Sequence, residues 1–236
     1  MKHPKVSVIL TIYNDNNKAV SKSINSIKNQ IYKNWEIVVV NGGQKVLFDG
    51  VKIVEAEPKG IADAFNVGVR KAVGEYLYFM GAGDFLEDNL VFTRMMENVD
   101  VDKDWLITGK IKRIDKNGVV LYEAGGWFKK CLLLYKMAIP HQGLFMSKKY
   151  FDKYGLFDEK CKYAMDYELL LRAYKDFPKV VQKNMVVANW VEGGVGQNDT
   201  DKVLDEYHRI RIKNKIAPRW ILELIYLLSK LRYGIK

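Results

Sequence analysis

Between residues 6 and 80 the chain alternates short apolar runs with amphipathic stretches. VSVILTI (Val6–Ile12), WEIVVVN (Trp35–Asn41), VKIVEA (Val51–Ala56) and YLYFM (Tyr76–Met80) are mostly apolar and rich in β-branched or aromatic residues. Runs of that length without polar alternation predict strands covered on both faces, as in a parallel sheet. Between them Ala19, Ile24 and Ile27, and later Ile61, Ala64, Phe65 and Val69 of GIADAFNVGVRKAV (Gly60–Val73), recur at helical spacing. This order predicts βαβ units and an α/β fold: a doubly wound, mostly parallel sheet with helices on both faces. Ligands of such sheets bind beyond the carboxyl ends of the strands.

After residue 100 the pattern changes. WLITGKIKRIDKNGVVLYE carries Asn117–Gly118 between two strand-like stretches, a hairpin signal, and GLFMS (Gly143–Ser147) and KVVQKNMVVANWV (Lys179–Val191) predict further strands. Antiparallel strands are thus expected beside the parallel ones. With 236 residues, 48% of them hydrophobic, the chain can bury one sizeable core. No Pro/Ser-rich linker or repeat divides it, so 1–200 reads as one domain with halves 1–100 and 101–200, followed by a basic amphipathic helical tail, 201–236.

The formal net charge is +10, and from Lys202 to Lys236 nine Lys/Arg face three Asp/Glu, or +6. In PRWILELIYLLSKLRYGIK, Pro218 suits a first helical position. Arg219, Glu223, Tyr226 and Lys230 form a narrow polar stripe on an otherwise apolar helix, and the charges come too soon for a membrane span. The apolar face of Pro218–Lys236 is expected to meet the protein's own core, a twin subunit in a homodimer, or the inner leaflet of a membrane. The charge tilts the choice toward anionic lipid. Nucleic acid is disfavoured, because the excess charge sits on an apolar tail without a reader motif. Met1–Pro4 lacks the features of a secretory signal, and Cys131 and Cys161 form no disulfide framework, so a reducing cytoplasm is the expected compartment.

The chemistry gathers at strand ends. After YLYFM the chain gives up its side chains at Gly81, Ala82 and Gly83 and then presents Asp84. Thr11, Tyr13 and Asn14 end the first strand, and Asn41, Gly42 and Gly43 end the second, so a nucleotide would lie across all three loops. Each has a plain alternative: Asn41–Gly42–Gly43 as a turn, Asp84 as a helix cap before FLEDNLVFTRMM. No GxGxxG follows the first strand, which counts against a dinucleotide-binding domain.

From Val6 to Gly194 the chain resembles the family 2 glycosyltransferases, nucleotide-sugar-dependent enzymes of the GT-A fold, and in particular small bacterial members that assemble surface polysaccharides and other glycans. The resemblance is carried by VSVILTIYND, WEIVVVNGG, KGIADAFNVGVRKAVGEYLYFMGAGD, PHQGLFMSKKYFDKYGLFDE and AMDYELLLRA. It implies that Asp84 belongs to a loop whose acids hold a divalent cation, Mn²⁺ or Mg²⁺, against the nucleotide diphosphate. Many members carry two adjacent acids where this chain has Gly83–Asp84, which leaves one carboxylate. A single ligand is chemically tolerable, since these ions complete their shells with water and phosphate oxygens. Asn41 stands where the family usually has an Asp that accepts the uracil imide hydrogen, and an amide oxygen can accept the same bond. The resemblance further implies that Lys59, Asp63 and Asn66 line the donor pocket. A solvated helix face is the plain alternative for Asp63 and Asn66.

Asp166 falls at the start of a helix whose buried stripe continues through Leu169, Leu170 and Ala173, a position that suits a capping carboxylate. The resemblance implies instead, or in addition, the catalytic base. It also implies that His141 and Gln142 meet diphosphate or acceptor, with approach to the metal or a satisfied structural histidine as the alternatives for His141, and that Glu192, Gly193 and Gly194 form a closing loop. The activity so implied is metal-dependent, inverting transfer of a sugar from a nucleotide diphosphate sugar, expected to be UDP-linked, to a hydroxyl of a glycan or lipid-linked saccharide. Two rivals remain: a sugar-phosphate nucleotidyltransferase, for which TIYNDNN lacks the Gly-rich basic loop, and a catalytically silent nucleotide-sugar or glycan-binding scaffold.

Overall fold

The structure is a computed structural model that describes residues 3–193 and 199–234. Three parallel strands, β1 (Val6–Ile12), β2 (Trp35–Asn41) and β3 (Lys52–Glu55), alternate with helices α1 (Asn17–Lys28) and α2 (Ile61–Lys71) and lead into a fourth, β4 (Tyr76–Gly81). The chain continues through β5 (Phe85–Leu86), α3 (Val91–Met96), β6 (Leu106–Ile114), β7 (Val120–Ala124), β8 (Leu144–Ser147), α4 (Lys148–Tyr154), α5 (Met165–Arg172), β9 (Val180–Val191), α6 (Thr200–Asn214) and α7 (Arg219–Arg232). All nine strands join one sheet in the order β3-β2-β1-β4-β8-β6-β9-β5, with β7 paired to β6.

The two-sided burial expected of β1 is present, and it splits the core. Val6, Val8, Leu10 and Ile12 pack with Val20, Ile24 and Ile27 of α1, whereas Ile9 faces the other way with Phe65 and Val69 of α2. This is the period of two in a strand serving two helical layers. β8 runs antiparallel to both β4 and β6, which accounts for the expected change after residue 100. The Asn117–Gly118 turn joins β6 to antiparallel β7.

Two sequence expectations shift. Asp84 does not cap a helix: β5 follows it at once, and α3 starts only at Val91. Pro218 is the residue before α7 rather than its first helical residue.

The C-terminal stretch is built into the domain. Ile210 of α6 joins the core of α5, Arg211 is fully buried, and Lys213 bridges Asp158 at 2.7 Å and Glu168 at 2.8 Å. α7 then lies on α6 through its polar stripe. Tyr226 donates to Asp205 and stacks on His208 with ring centroids 4.2 Å apart, Lys230 pairs with Asp201 at 2.7 Å, and Glu223 meets His208 at 3.1 Å. Trp220, Leu224, Leu227, Leu228 and Leu231 consequently point outward and are exposed. Leu222 and Ile225 are buried on the inner side, so the helix carries apolar residues on both sides and leaves the larger set outside.

Candidate functional site

At the carboxyl ends of β1 and β2 two loops are stitched together. Asn14 adopts φ 54°, a left-handed conformation that Asn tolerates, and its Oδ1 accepts the backbone N–H of Gln44 at 2.9 Å. A Cβ on Gly43 would stand 2.5 Å from that oxygen, so only glycine lets the loops close. Between them lies a cavity of about 310 Å³ lined in part by Asn14, Asp15, Asn41, Gln44 and Lys45. Thr11 is half-buried in β1, and Tyr13 is 60% exposed at the rim. The Gly42 N–H continues the strand by donating to Ile12 at 3.0 Å. Asn41 is buried; its Nδ2 donates to Gln44 O at 2.9 Å and Glu55 Oε2 at 3.0 Å, while its Oδ1 accepts Gly43 N–H at 3.0 Å. Its two N–H donors are thus spent on the loop, and the carbonyl keeps one lone pair.

The α2 residues divide. Lys59 is exposed and pairs with Glu57 at 2.8 Å, and Asp63 is half-buried on the first turn. Asn66 is not on an open face. It is buried, donating to Phe157 O at 3.0 Å and Glu159 Oε1 at 3.1 Å and accepting Phe157 N–H at 2.9 Å. The structure therefore makes it a clamp between α2 and the 157–159 loop, in place of the pocket-lining residue or solvated face expected from sequence.

The bare loop after β4 brings Asp84 inside. Gly83 sits at φ 93°, and its N–H donates to Ser23 Oγ at 3.0 Å, so the turn reverses without a side chain in the way. Asp84 is 5% exposed and accepts the Val191 N–H at 3.1 Å and a hydrogen bond from the Gln142 side chain. Burial pushes its carboxyl up to about 7, against the lowering effect of those bonds. Among the described residues no cationic side chain offsets its charge. A divalent cation would supply the missing charge, so the residue fits one. Among the described residues no three His, Cys, Asp or Glu side chains converge on a metal site, so an ion held by Asp84 would complete its shell largely from other ligands.

The turn His141–Gly143 connects Asp84 to Asp166. Tyr78 donates its hydroxyl to Gln142 O at 2.7 Å, which fixes the turn over β4 and aims the Gln142 side chain at Asp84. Next to it His141 packs against Phe65 and Phe79, with ring centroids 5.4 Å and 5.8 Å away. Burial pushes its pKa below the usual imidazole value, while the charge of Asp166 pulls it back up. Asp166 occupies the second position of α5 and retains some open surface; its Oδ1 accepts the Tyr167 N–H at 2.7 Å. Desolvation raises its carboxyl above the ordinary carboxylate range, against the effect of His141.

Gln142 is thus hydrogen-bonded to Asp84, and the adjacent His141 feels the charge of Asp166, while Asn14 and Asn41 border the cavity at the strand ends. The Glu192 N–H extends β9 by donating to Ile114 O at 2.9 Å, and Gly193 follows at φ 118°. Gly194 lies outside the described residues. A wider, shallow depression of about 630 Å³ along α1, between Asn17 and Phe85, is lined by neither Asp84 nor Asp166.

Sequence reasoning missed Glu206, which reaches from α6 to the start of α5, and Gln44 and Lys45 in the loop cavity. Nothing local distinguishes Glu206 from the other acids of a charged helix.

Residues 7–155 match the description Glycosyl transferase family 2. The chain belongs to that family. The matched range ends before α5, so Asp166 stands on geometry and not on the match. Among relatives, a glycosyltransferase of Rickettsia conorii is 29% identical over 199 residues, which is 75% of this chain and 32% of that protein. The chain therefore spans about a third of that relative's length. A PGL/p-HBAD biosynthesis glycosyltransferase of Mycobacterium bovis is 25% identical, over 95% of this chain and 91% of its own. Among solved structures, S. aureus TarS in complex with UDP-GlcNAc aligns with a TM-score of 0.73 at 15% identity, covering 97% of this chain and 73% of that one. The mannosyltransferase PcManGT from Pyrobaculum calidifontis, in complex with GDP-Man and Mn²⁺, aligns with a TM-score of 0.63 at 16% identity, covering 97% and 70%. The fold is that of GT-A glycosyltransferases. Membership of that family places the fold's strand-end cavity among the features to be explained by function.

Proposed function

We propose that the protein is an inverting, metal-dependent glycosyltransferase that moves a hexosyl group from a nucleotide diphosphate sugar, UDP-linked, to a hydroxyl of a glycan or lipid-linked saccharide. The observation that supports this reading is the link from Asp84 to the side chain of Gln142, next to His141, which lies within the field of Asp166. The nucleotide lies across the cavity between Asn14 and Asn41, whose remaining carbonyl lone pair accepts from the base. A Mn²⁺ or Mg²⁺ ion held by Asp84 would neutralise negative charge on the diphosphate. In this reading Lys59 and Asp63 at the head of α2 serve the donor, and Glu192 and Gly193 the acceptor.

Asp166 takes the proton of the acceptor hydroxyl, whose oxygen then forms the new bond to the anomeric carbon. The bond from that carbon to the diphosphate breaks, and its electron pair leaves with the phosphate oxygen. A raised proton affinity suits Asp166 to this task, and neighbouring His141, disfavoured as a cation by burial, offsets only part of that rise. No nucleophile of the protein is needed: Cys131 is exposed and separate from the group, and burial pushes the Cys161 thiol up to about 12. Direct displacement inverts the anomeric centre.

The same reading extends to a lipid surface on the cytoplasmic face of a membrane, contacted through α7. Its support is the outward apolar face, with Trp220 near one end and Tyr233 just past the other, flanked by Arg219 and Arg232. Interfacial helices combine these features. No helix among the described residues is long and apolar enough to cross a membrane.

The test is release of nucleotide diphosphate from a panel of UDP- and GDP-sugars with Mn²⁺. Release from one donor, lost in Asp166→Asn while donor binding persists, is the expected result. Donor binding with no turnover under any acceptor tried would favour the silent scaffold.

A further inference from the structure

The start of α5 has no cap of its own. The residue before the helix is Ala164, which offers no side-chain hydrogen bond. The first N–H groups of any helix lack partners within it, and leaving them unpaired in a buried place costs about 1–3 kcal/mol each. Here the N–H of Ala164, at the entry to the helix, and those of the two residues before it are answered from another helix. Glu206 of α6, only 8% exposed, accepts Ala164 N–H at 2.8 Å and Tyr163 N–H at 2.9 Å on Oε1, and Lys162 N–H at 3.0 Å on Oε2.

We propose that Glu206 is a positioning residue for Asp166: its carboxylate grips three consecutive backbone N–H groups and so sets where α5 begins and where its second residue points. This rests on the reading of Asp166 as base. The next residue of α6 acts on the same place. Tyr207 packs its ring against Tyr167, centroids 4.5 Å apart, and lies within the field of Asp166. One turn further on, Arg211 is fully buried and donates to the Tyr167 hydroxyl at 3.0 Å and to Tyr135 O at 2.6 Å. α6 therefore holds Ala164 and Tyr167, which bracket Asp166, while Asp166 itself retains some open surface.

Glu206 is balanced by those three N–H groups, by the positive end of the α5 dipole, and by Arg209 at 3.5 Å. Glutamine keeps an acceptor for Tyr163 and Ala164, whereas alanine keeps none. The two substitutions thus grade the loss of grip.

The experiment measures kcat and KM for donor hydrolysis in Mn²⁺, on whichever UDP- or GDP-sugar the wild type turns over, for Glu206→Ala, Glu206→Gln, Asp166→Asn and Glu206→Ala combined with Asp166→Asn. Misplacing a catalytic group by about an ångström costs on the order of 10²-fold in rate. The expected result is a kcat loss of about 10- to 100-fold in Glu206→Ala at unchanged KM, a smaller loss in Glu206→Gln, and no further loss when Asp166 is already Asn. A Glu206→Ala enzyme with wild-type kcat, while Asp166→Asn is dead, overturns the positioning role and leaves the base in place. An active Asp166→Asn enzyme removes the base itself, and this inference with it. Backbone amide exchange across 162–167, which needs no donor, is expected to accelerate in Glu206→Ala and much less in Glu206→Gln; equal protection in all three proteins also overturns the proposal.

Discussion

Asp84 receives a hydrogen bond from the side chain of Gln142, whose backbone carbonyl is held by the Tyr78 hydroxyl at 2.7 Å. β4 thereby delivers both the acid, at the loop that follows it, and the residue that anchors the acid's partner. The pairing makes Asp84 a carboxylate that is oriented but only partly compensated, and several consequences can be measured.

With a folded-state pKa of about 7 against an ordinary value of 3.8, Asp84 holds its proton more tightly in the folded chain than in the unfolded one. Its ionisation then costs stability as pH rises from about 4 to about 7, after which the deficit is constant. Asp84→Asn removes that cost while keeping an acceptor for Val191. Without divalent cation the variant is expected to be more stable than wild type at about pH 8, by up to roughly 4 kcal/mol, and to lose the advantage near pH 4. Urea denaturation at the two pH values checks this. Added Mn²⁺ should stabilise the wild type and not the variant.

Gln142→Leu takes away a hydrogen bond that favours the ionised form of Asp84. The proton then competes better with a cation. The pH at which Mn²⁺ half-activates donor hydrolysis is expected to move up by about one unit, since a hydrogen bond to a charged group contributes roughly 1.5–3 kcal/mol. An unmoved midpoint would separate Gln142 from the cation.

Asp166→Asn keeps shape and loses the base. The rate of transfer or donor hydrolysis is expected to fall by about 10²- to 10⁴-fold with donor affinity retained. In the wild type, activity should rise with pH through the raised pKa of Asp166, because the base must be ionised, so the acid limb lies above the ordinary carboxylate range. A pH–rate profile for kcat, read against calorimetric donor binding, tests both statements.

Asn66→Ala leaves the Phe157 N–H and carbonyl without partners in a buried place. A loss of roughly 2–5 kcal/mol in unfolding free energy is expected. Because Asn66 clamps from inside, donor affinity per folded molecule should change little.

Much of this was legible because burial writes itself into composition. The runs around Ile9, Val39 and Phe79 are apolar on both sides, so strands and winding follow from them. Asp84 stood out because the glycines beside it have no packing role a strand would need. Asn66 was misplaced for the opposite reason: a buried, fully bonded amide and a solvated one look alike in a sequence, and its partners Phe157 and Glu159 lie far along the chain. Glu206 was invisible for the same cause. The charge of the C-terminal stretch misled as well. Lys202, Lys213 and Lys230 are paired with Asp199, Asp158 and Asp201, and Arg211 is buried, so the exposed cations without a carboxylate partner among the described residues of that stretch are Lys215 and Arg232.

Helical periodicity gives α7 two faces without saying which turns inward. The polar stripe turns inward because α6 supplies Asp201, Asp205 and His208 opposite it. Trp220, Leu224, Leu227, Leu228 and Leu231 are left outside, and covering each leucine would contribute about 1.5–3 kcal/mol. With most nearby cations already paired, the lipid contact proposed for α7 would rest on apolar insertion more than on charge. Co-sedimentation with vesicles containing phosphatidylglycerol should therefore persist largely in high salt and be lost in Leu224→Glu/Leu228→Glu, while donor hydrolysis in solution is unchanged. Binding abolished by salt alone would mean that charge, and not the leucine face, holds the helix to lipid. Sedimentation of the double variant as a smaller species than wild type, with no vesicle binding by either, would assign the face to a second copy of the chain.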